Sequence, residues 1–114
     1  MSAITTHVLD TSLGRPAAGV LVLLEFEARP GKWKPVGGGT TDADGRLNTL
    51  LPRRSRLSRG TYRLTFDTAA YFRARAAQSF YPNVTVVFTV RDPGQQYHIP
   101  LLLSPYGYST YRGS

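Results

Sequence analysis

Two histidines, His7 and His98, are the only side chains in the chain whose ordinary pKa lies near neutrality. Such a group can take a proton from water and return it to a departing atom, so the pair invites general acid–base chemistry. Either histidine alone reads first as a surface side chain. A zinc site built on the pair lacks a third His, Cys or carboxylate at ligand spacing, so no metal is expected. No Gly-x-Ser-x-Gly elbow singles out a nucleophilic serine. Asp42, Asp44 and Gly45 match the start of a calcium loop, but the fifth-position ligand and the closing glutamate are missing. His98 lies at the head of the final stretch, residues 97–114, an apolar run followed by Tyr106, Tyr108, Tyr111, Arg112 and Ser114. Tails of small domains usually fray. One of this composition is expected to dock and to help build a site.

The elements that must position these residues are strands. Residues 4–9 alternate Ile4, Thr6 and Val8 against Thr5, His7 and Leu9. If Ile4 marks the core face, His7 points off the core. His98 does the same in a strand over residues 97–103, out of phase with Tyr97, Ile99, Leu101 and Leu103. Residues 20–27 form a long strand with Val20, Val22, Leu24 and Phe26 on one face, and a turn at residues 29–32 leads to a return strand that Trp33 to Val36 begins. Gly37, Gly38 and Gly39 either bend a strand or let backbone pass close to a neighbour. Residues 11–18 are turn material, Asp44-Gly45 is a turn signal, and residues 47–57 read as loop or a short strand. Residues 61–67 and 84–90 alternate as strands. Between them, residues 68–77 predict the one short helix, N-capped by Asp67 or Thr68. Short strands, frequent turns and one brief helix predict an all-β sandwich.

Bulk properties narrow the function. A chain of 114 residues supports one domain, 1–114, with one core. The net charge of +7 and pI near 10.3 raise nucleic acid as a partner. The densest basic run, Arg53, Arg54, Arg56 and Arg59, has no interleaved aromatics and no binding module around it. It reads as a solvated loop, so no nucleic-acid partner is expected. No apolar run approaches the roughly 20 residues of a membrane span, no signal peptide precedes the first strand, and the expected setting is cytoplasmic. The absence of cysteine excludes disulfides.

Several strands carry apolar residues on their second face as well: Leu21, Leu23, Val87 and Leu102. A small sandwich buries one face of each sheet, so outward apolar side chains predict cover by another copy in a symmetric homo-oligomer.

Four separated stretches carry a family resemblance: residues 5–17 (T-T-H-V-L-D-T-S-L-G-R-P-A), 41–46 (T-D-A-D-G-R), 61–72 with the following F-Y-P-x-V, and the closing Tyr-Arg-Gly-Ser at 111–114. Together they resemble the transthyretin-related family of 5-hydroxyisourate hydrolases. The resemblance implies a transthyretin-like β-sandwich of two four-stranded sheets with one short helix, assembled as a homotetramer with its sites at the dimer–dimer interface. It implies hydrolytic opening of 5-hydroxyisourate to 2-oxo-4-hydroxy-4-carboxy-5-ureidoimidazoline in urate breakdown, with no cofactor. Carried over residue by residue, it assigns His7, Arg46, His98 and Ser114 to catalysis, and His7, Arg46, Tyr111 and Arg112 to substrate binding. Which histidine is the base stays open, as does the part played by Ser114. Transthyretin itself, a carrier on the same fold, sets the alternative of a non-enzymatic binding protein.

Overall fold

Period-two alternation becomes two packed sheets because each strand can bury only one of its faces. The structure, a computed structural model, describes residues 2–53 and 55–114. Its elements in chain order are β1 (Ile4–Asp10), β2 (Arg15–Pro16), β3 (Leu21–Arg29), β4 (Lys32–Thr40), β5 (Arg46–Leu47), β6 (Gly60–Phe66), α1 (Thr68–Arg73), β7 (Val84–Val90), β8 (Tyr97–Ser104) and β9 (Gly107–Thr110). One sheet has the order β4-β3-β6-β7 and is antiparallel throughout. The other runs β2-β1-β8-β9, with β5 pairing β1 off this path. The transthyretin-like sandwich is therefore present. One sheet has five strands where four were expected, because Arg46–Leu47 adds a two-residue strand.

In the five-stranded sheet β1 and β8 pair in parallel through seven positions, from Ile4 opposite Tyr97 to Asp10 opposite Leu103. Between the sheets lie Ile4, Val8, Val22, Leu24, Leu64, Phe66, Val84, Val90, Leu101 and Leu103, each at most 2% exposed. These are the inward positions given by the alternation. Removing such a side chain from water contributes about 1.5–3 kcal/mol.

Two of the three glycines of β4, Gly37 and Gly38, mark a close approach between backbones, and Gly39 makes room for the Leu47 side chain. A Cβ on Gly37 would stand 1.8 Å from the Leu50 carbonyl oxygen, which accepts a 2.9 Å bond from the Gly38 N–H. The return strand, begun by Trp33 to Val36, runs on through these glycines to Thr40.

The helix is shorter than expected. Asp67 caps its start, accepting from the Ala70 N–H at 3.3 Å. It stops at Arg73, not Ala77, because Ala76 takes a left-handed conformation, φ 54°. Ala77 N–H then donates to Phe72 O and Ala76 N–H to Arg73 O, a Schellman closure with alanine where glycine is usual.

Packing of that helix is fixed by a buried acid. Asp10, 1% exposed, accepts from the Tyr71 hydroxyl at 2.7 Å, from the backbone N–H groups of Ser12 and Leu13, and from the Ser12 hydroxyl. Burial alone would raise its pKa. The hydrogen bonds from Ser12, Tyr71 and Leu13 outweigh it, and the net shift is downward. Burial and the Asp10 carboxylate push Tyr71 up to about 12. Tyr71→Phe is expected to cost about 1.5–3 kcal/mol, the range for a hydrogen bond to a charged group. Urea unfolding checks this, and the loss should shrink as acid protonates Asp10 below its ordinary carboxylate range. Unchanged stability at neutral pH would contradict it.

Met1 and Arg54, the latter part of the basic run, lie outside the described residues. Arg53, Arg56 and Arg59 are exposed, as a solvated loop requires. Among the described residues no helix is long and apolar enough to cross a membrane.

Candidate active site on the outer face of the five-stranded sheet

Strand parity decides which side chains meet. On β1 the residues Ile4, Thr6, Val8 and Asp10 point inward, leaving Thr5, His7 and Leu9 on the outer face. On β8 the same alternation leaves His98, Pro100 and Leu102 outside. The parallel register sets Thr5 opposite His98 and His7 opposite Pro100, while the antiparallel pairing with β5 sets His7 opposite Arg46. Three residues distant in sequence, His7, Arg46 and His98, thus share one open sheet face. His7 and His98 are half-buried there and Arg46 is exposed.

The stretch T-D-A-D-G-R presents two of the site's groups. Thr41 Oγ1 accepts from the Val20 N–H at 2.9 Å and donates to Ala17 O at 2.8 Å, fixing the loop's start. Asp42 Oδ1 accepts from the backbone N–H groups of Asp44, at 2.9 Å, and Arg46, at 3.0 Å. That carboxylate holds its own loop, and among the described residues no cluster of three metal-ligating side chains occurs. Gly45 turns with φ 74°. A Cβ there would lie 2.3 Å from Val8 O, so the loop presses directly on β1. The result puts Arg46 beside His7 and aims the Asp44 carbonyl at the His7 ring. His7 Nε2 lies 2.9 Å from Asp44 O. A carbonyl can only accept, so Nε2 carries a proton and donates it to Asp44 O.

His98 is held from both sides. Its Nδ1 lies 2.8 Å from Thr5 Oγ1. On the opposite edge the tail crosses the ring. Gly113 N–H donates to His98 O at 2.7 Å, and a Cβ on Gly113 would meet His98 Cδ2 at 2.7 Å. Glycine is required there because any side chain would displace the imidazole or the tail. Burial first, then the neighbouring charges of His7 and Arg46, hold His98 below the ordinary histidine pKa. The shift favours its neutral form.

The tail docks mainly through its backbone. β9 pairs antiparallel with β8, and the bridge between His98 and Gly113 carries the chain back over the site. The tyrosine side chains stay outside: Tyr106, Tyr108 and Tyr111 are 65%, 42% and 56% exposed. Ser114 is exposed beside Gly113, in an open cleft of about 500 Å³ shared with Gln95, Gln96 and Arg112. Arg112 is engaged away from the histidines. Its guanidinium lies 4.6 Å from the Tyr97 ring centroid and donates to Gln95 Oε1 at 3.0 Å. Tyr111 and Arg112 line a narrow cleft of about 150 Å³ at the sandwich edge with Val86, Phe88, Tyr97 and Ile99. Within one chain, His7, Arg46 and His98 converge, Ser114 lies close by along the tail, and Tyr111 and Arg112 face the edge.

Residue types alone did not single out two contributors. Thr5 carries one sequence signal, its shared parity with His7. The Asp44 contribution is a backbone carbonyl and leaves no mark in the sequence. The outward apolar residues fall on both sheets. Leu102 shares the histidine face, whereas Leu21, Leu23 and Val87 lie on the other sheet, each at least 40% exposed.

Comparison with known proteins adds to this geometry. A model of the HIUase/Transthyretin family matches residues 4–113. The chain is 49% identical over 114 residues to 5-hydroxyisourate hydrolase of Mus musculus, covering 99% of this chain and 96% of that protein. The solved 5-hydroxyisourate hydrolase of Klebsiella pneumoniae superimposes with a TM-score of 0.84 at 35% identity, covering 97% of this chain and 92% of the other. Sea bream transthyretin in complex with thyroxine superimposes with a TM-score of 0.91 at 31% identity, covering 98% and 95%.

Proposed function

Because the chain belongs to the HIUase/transthyretin family, we propose that it is a hydrolase that opens the ring of 5-hydroxyisourate on the face built by His7, Arg46 and His98. The observation that carries this is the convergence of two histidines, each held through a different ring nitrogen, beside an arginine on a single sheet face. Backbone shape alone leaves the carrier open, since the transthyretin superposition is at least as close as that to the hydrolase. A carrier has no use for this acid–base set.

In the proposed reaction His98, neutral at working pH, takes a proton from water through Nε2. The water oxygen bonds to the ring carbonyl carbon and the carbonyl oxygen becomes an oxyanion, which the Arg46 guanidinium stabilises through its fork of donors. The carbon–nitrogen bond then breaks and the proton passes to the departing nitrogen. The product is the ring-opened acid, 2-oxo-4-hydroxy-4-carboxy-5-ureidoimidazoline. His7, its Nε2 proton committed to Asp44, orients substrate through Nδ1. Ser114 orients the water at the tail's end. Tyr111 and Arg112 act through the tail they belong to, Arg112 by holding it against Tyr97 and Tyr111 by contacting substrate from the edge. No cofactor enters the scheme.

The open face needs a cover to exclude water, and we propose that a second pair of copies supplies it in a homotetramer. The deciding experiment follows the absorbance of freshly made 5-hydroxyisourate with and without protein, corrected for spontaneous decay, alongside sedimentation of the same sample. Faster decay by a tetramer is the expected result. Stoichiometric binding without turnover would favour the carrier, and an active monomer would remove the interface site.

A further inference from the structure

We propose that Thr5 is a positioning residue of this site: its hydroxyl holds Nδ1 of His98, so that Nε2 alone is presented to water and substrate. This rests on the hydrolase function proposed above and assigns a role to a residue outside the set His7, Arg46, His98, Tyr111, Arg112 and Ser114. The parallel register places Thr5 directly across from His98, and the hydroxyl lies 2.8 Å from Nδ1. Thr5 is 8% exposed. A hydroxyl removed from water needs a partner, and His98 supplies it.

The contact also selects between the two orientations open to an imidazole. The ring can turn over about its Cβ–Cγ bond, which exchanges Nδ1 with Cδ2. In the observed orientation Nδ1 meets the Thr5 hydroxyl, and Cδ2 lies under Gly113, where even a methyl group would stand 2.7 Å away. The flipped ring would turn a carbon towards the Thr5 hydroxyl and press a polar nitrogen against the tail. Thr5 therefore chooses the orientation, and Gly113 leaves the ring room to lie beneath the tail. In this proposal Nδ1 carries the proton of the bond and donates it to Thr5 Oγ1, which leaves the Nε2 lone pair as the basic position of the neutral ring. His7 is held the opposite way, by its Nε2 on the Asp44 carbonyl. The two histidines thus expose different nitrogens, and this divides their roles.

The test compares full-length wild type, Thr5→Val and Thr5→Ser, with histidine labelled for nitrogen NMR. Valine keeps the branched shape a strand favours and removes only the hydroxyl. The expected result for Thr5→Val is a kcat lower by about tenfold to a hundredfold, the scale of a misplaced catalytic group, with KM little changed. Thr5→Ser should keep most of the rate. In wild type, Nδ1 of His98 should show a pyrrole-type shift and Nε2 a pyridine-type shift, and Thr5→Val should average them. Wild-type kcat and unchanged shifts in Thr5→Val would overturn the proposal, as would a pyrrole-type Nε2 in wild type. If Thr5→Val fails to fold, the wild-type shifts and the serine variant decide it. A wild type inert towards 5-hydroxyisourate would overturn the function, and the nitrogen shifts would still decide how Thr5 holds the ring.

Discussion

His98→Ala is expected to lower kcat by about 10²–10⁴-fold, the usual contribution of a positioned general base. The fold should survive, because the side chain is half-buried on the outer face and takes no part in the core. The pH dependence carries a definite sign. Burial, then His7, then Arg46 hold His98 below its ordinary value of 6.5, which favours the neutral form that can accept a proton. Activity should hold through neutrality and fall only as pH drops through this depressed value. The same linkage costs folding stability below the ordinary histidine range, because the unfolded chain binds the proton more readily there. Initial rates across pH for wild type and His98→Ala, with circular dichroism on both, test this. A folded alanine variant with near-normal turnover would dismiss His98 as the base.

Deleting residues 111–114 should abolish turnover while costing little stability. The deletion removes the Gly113 bridge over the His98 ring, the Ser114 hydroxyl and the Arg112 anchor on Tyr97. The core loses nothing: Tyr111, Arg112 and Ser114 are exposed, and β9 up to Thr110 keeps its pairing with β8. Loss of rate with an unchanged melting temperature is the expected pair of results. A rate equal to wild type would mean that the tail takes no part in the site.

Much of this was legible because parity is a local property. The outward direction of His7 and His98 follows from alternation within each strand, and the structure keeps it. Which strands lie side by side is not local. Nothing within β1 marks the parallel pairing with β8, so Thr5 could not be set across from His98. For the same reason the outward apolar residues could not be assigned to one sheet or the other: Leu102 lies on the histidine face, and Leu21, Leu23 and Val87 lie on the other sheet. β9 was hidden because Gly107–Thr110 reads G-Y-S-T and buries little, its order coming from ladder bonds to β8. The helix end was hidden because Ala76 has the propensity of a helix former, and closure of the last turn overrode it. The aspartates that suggested a calcium loop were explained only by seeing where Asp42 spends its acceptor capacity.

The parallel pair of β1 and β8 has a consequence for how the protein comes into being. Thr5 and His98 are 93 positions apart, so the chemistry is split between the first strand and one of the last made. The antiparallel sheet closes within residues 21–90, but its buried face is completed only by the other sheet. β1 must wait for residues 97–104 before its ladder can close, and loop closure over such a distance is slow. A chain that lacks β8 therefore cannot bring His7 and His98 onto one sheet face.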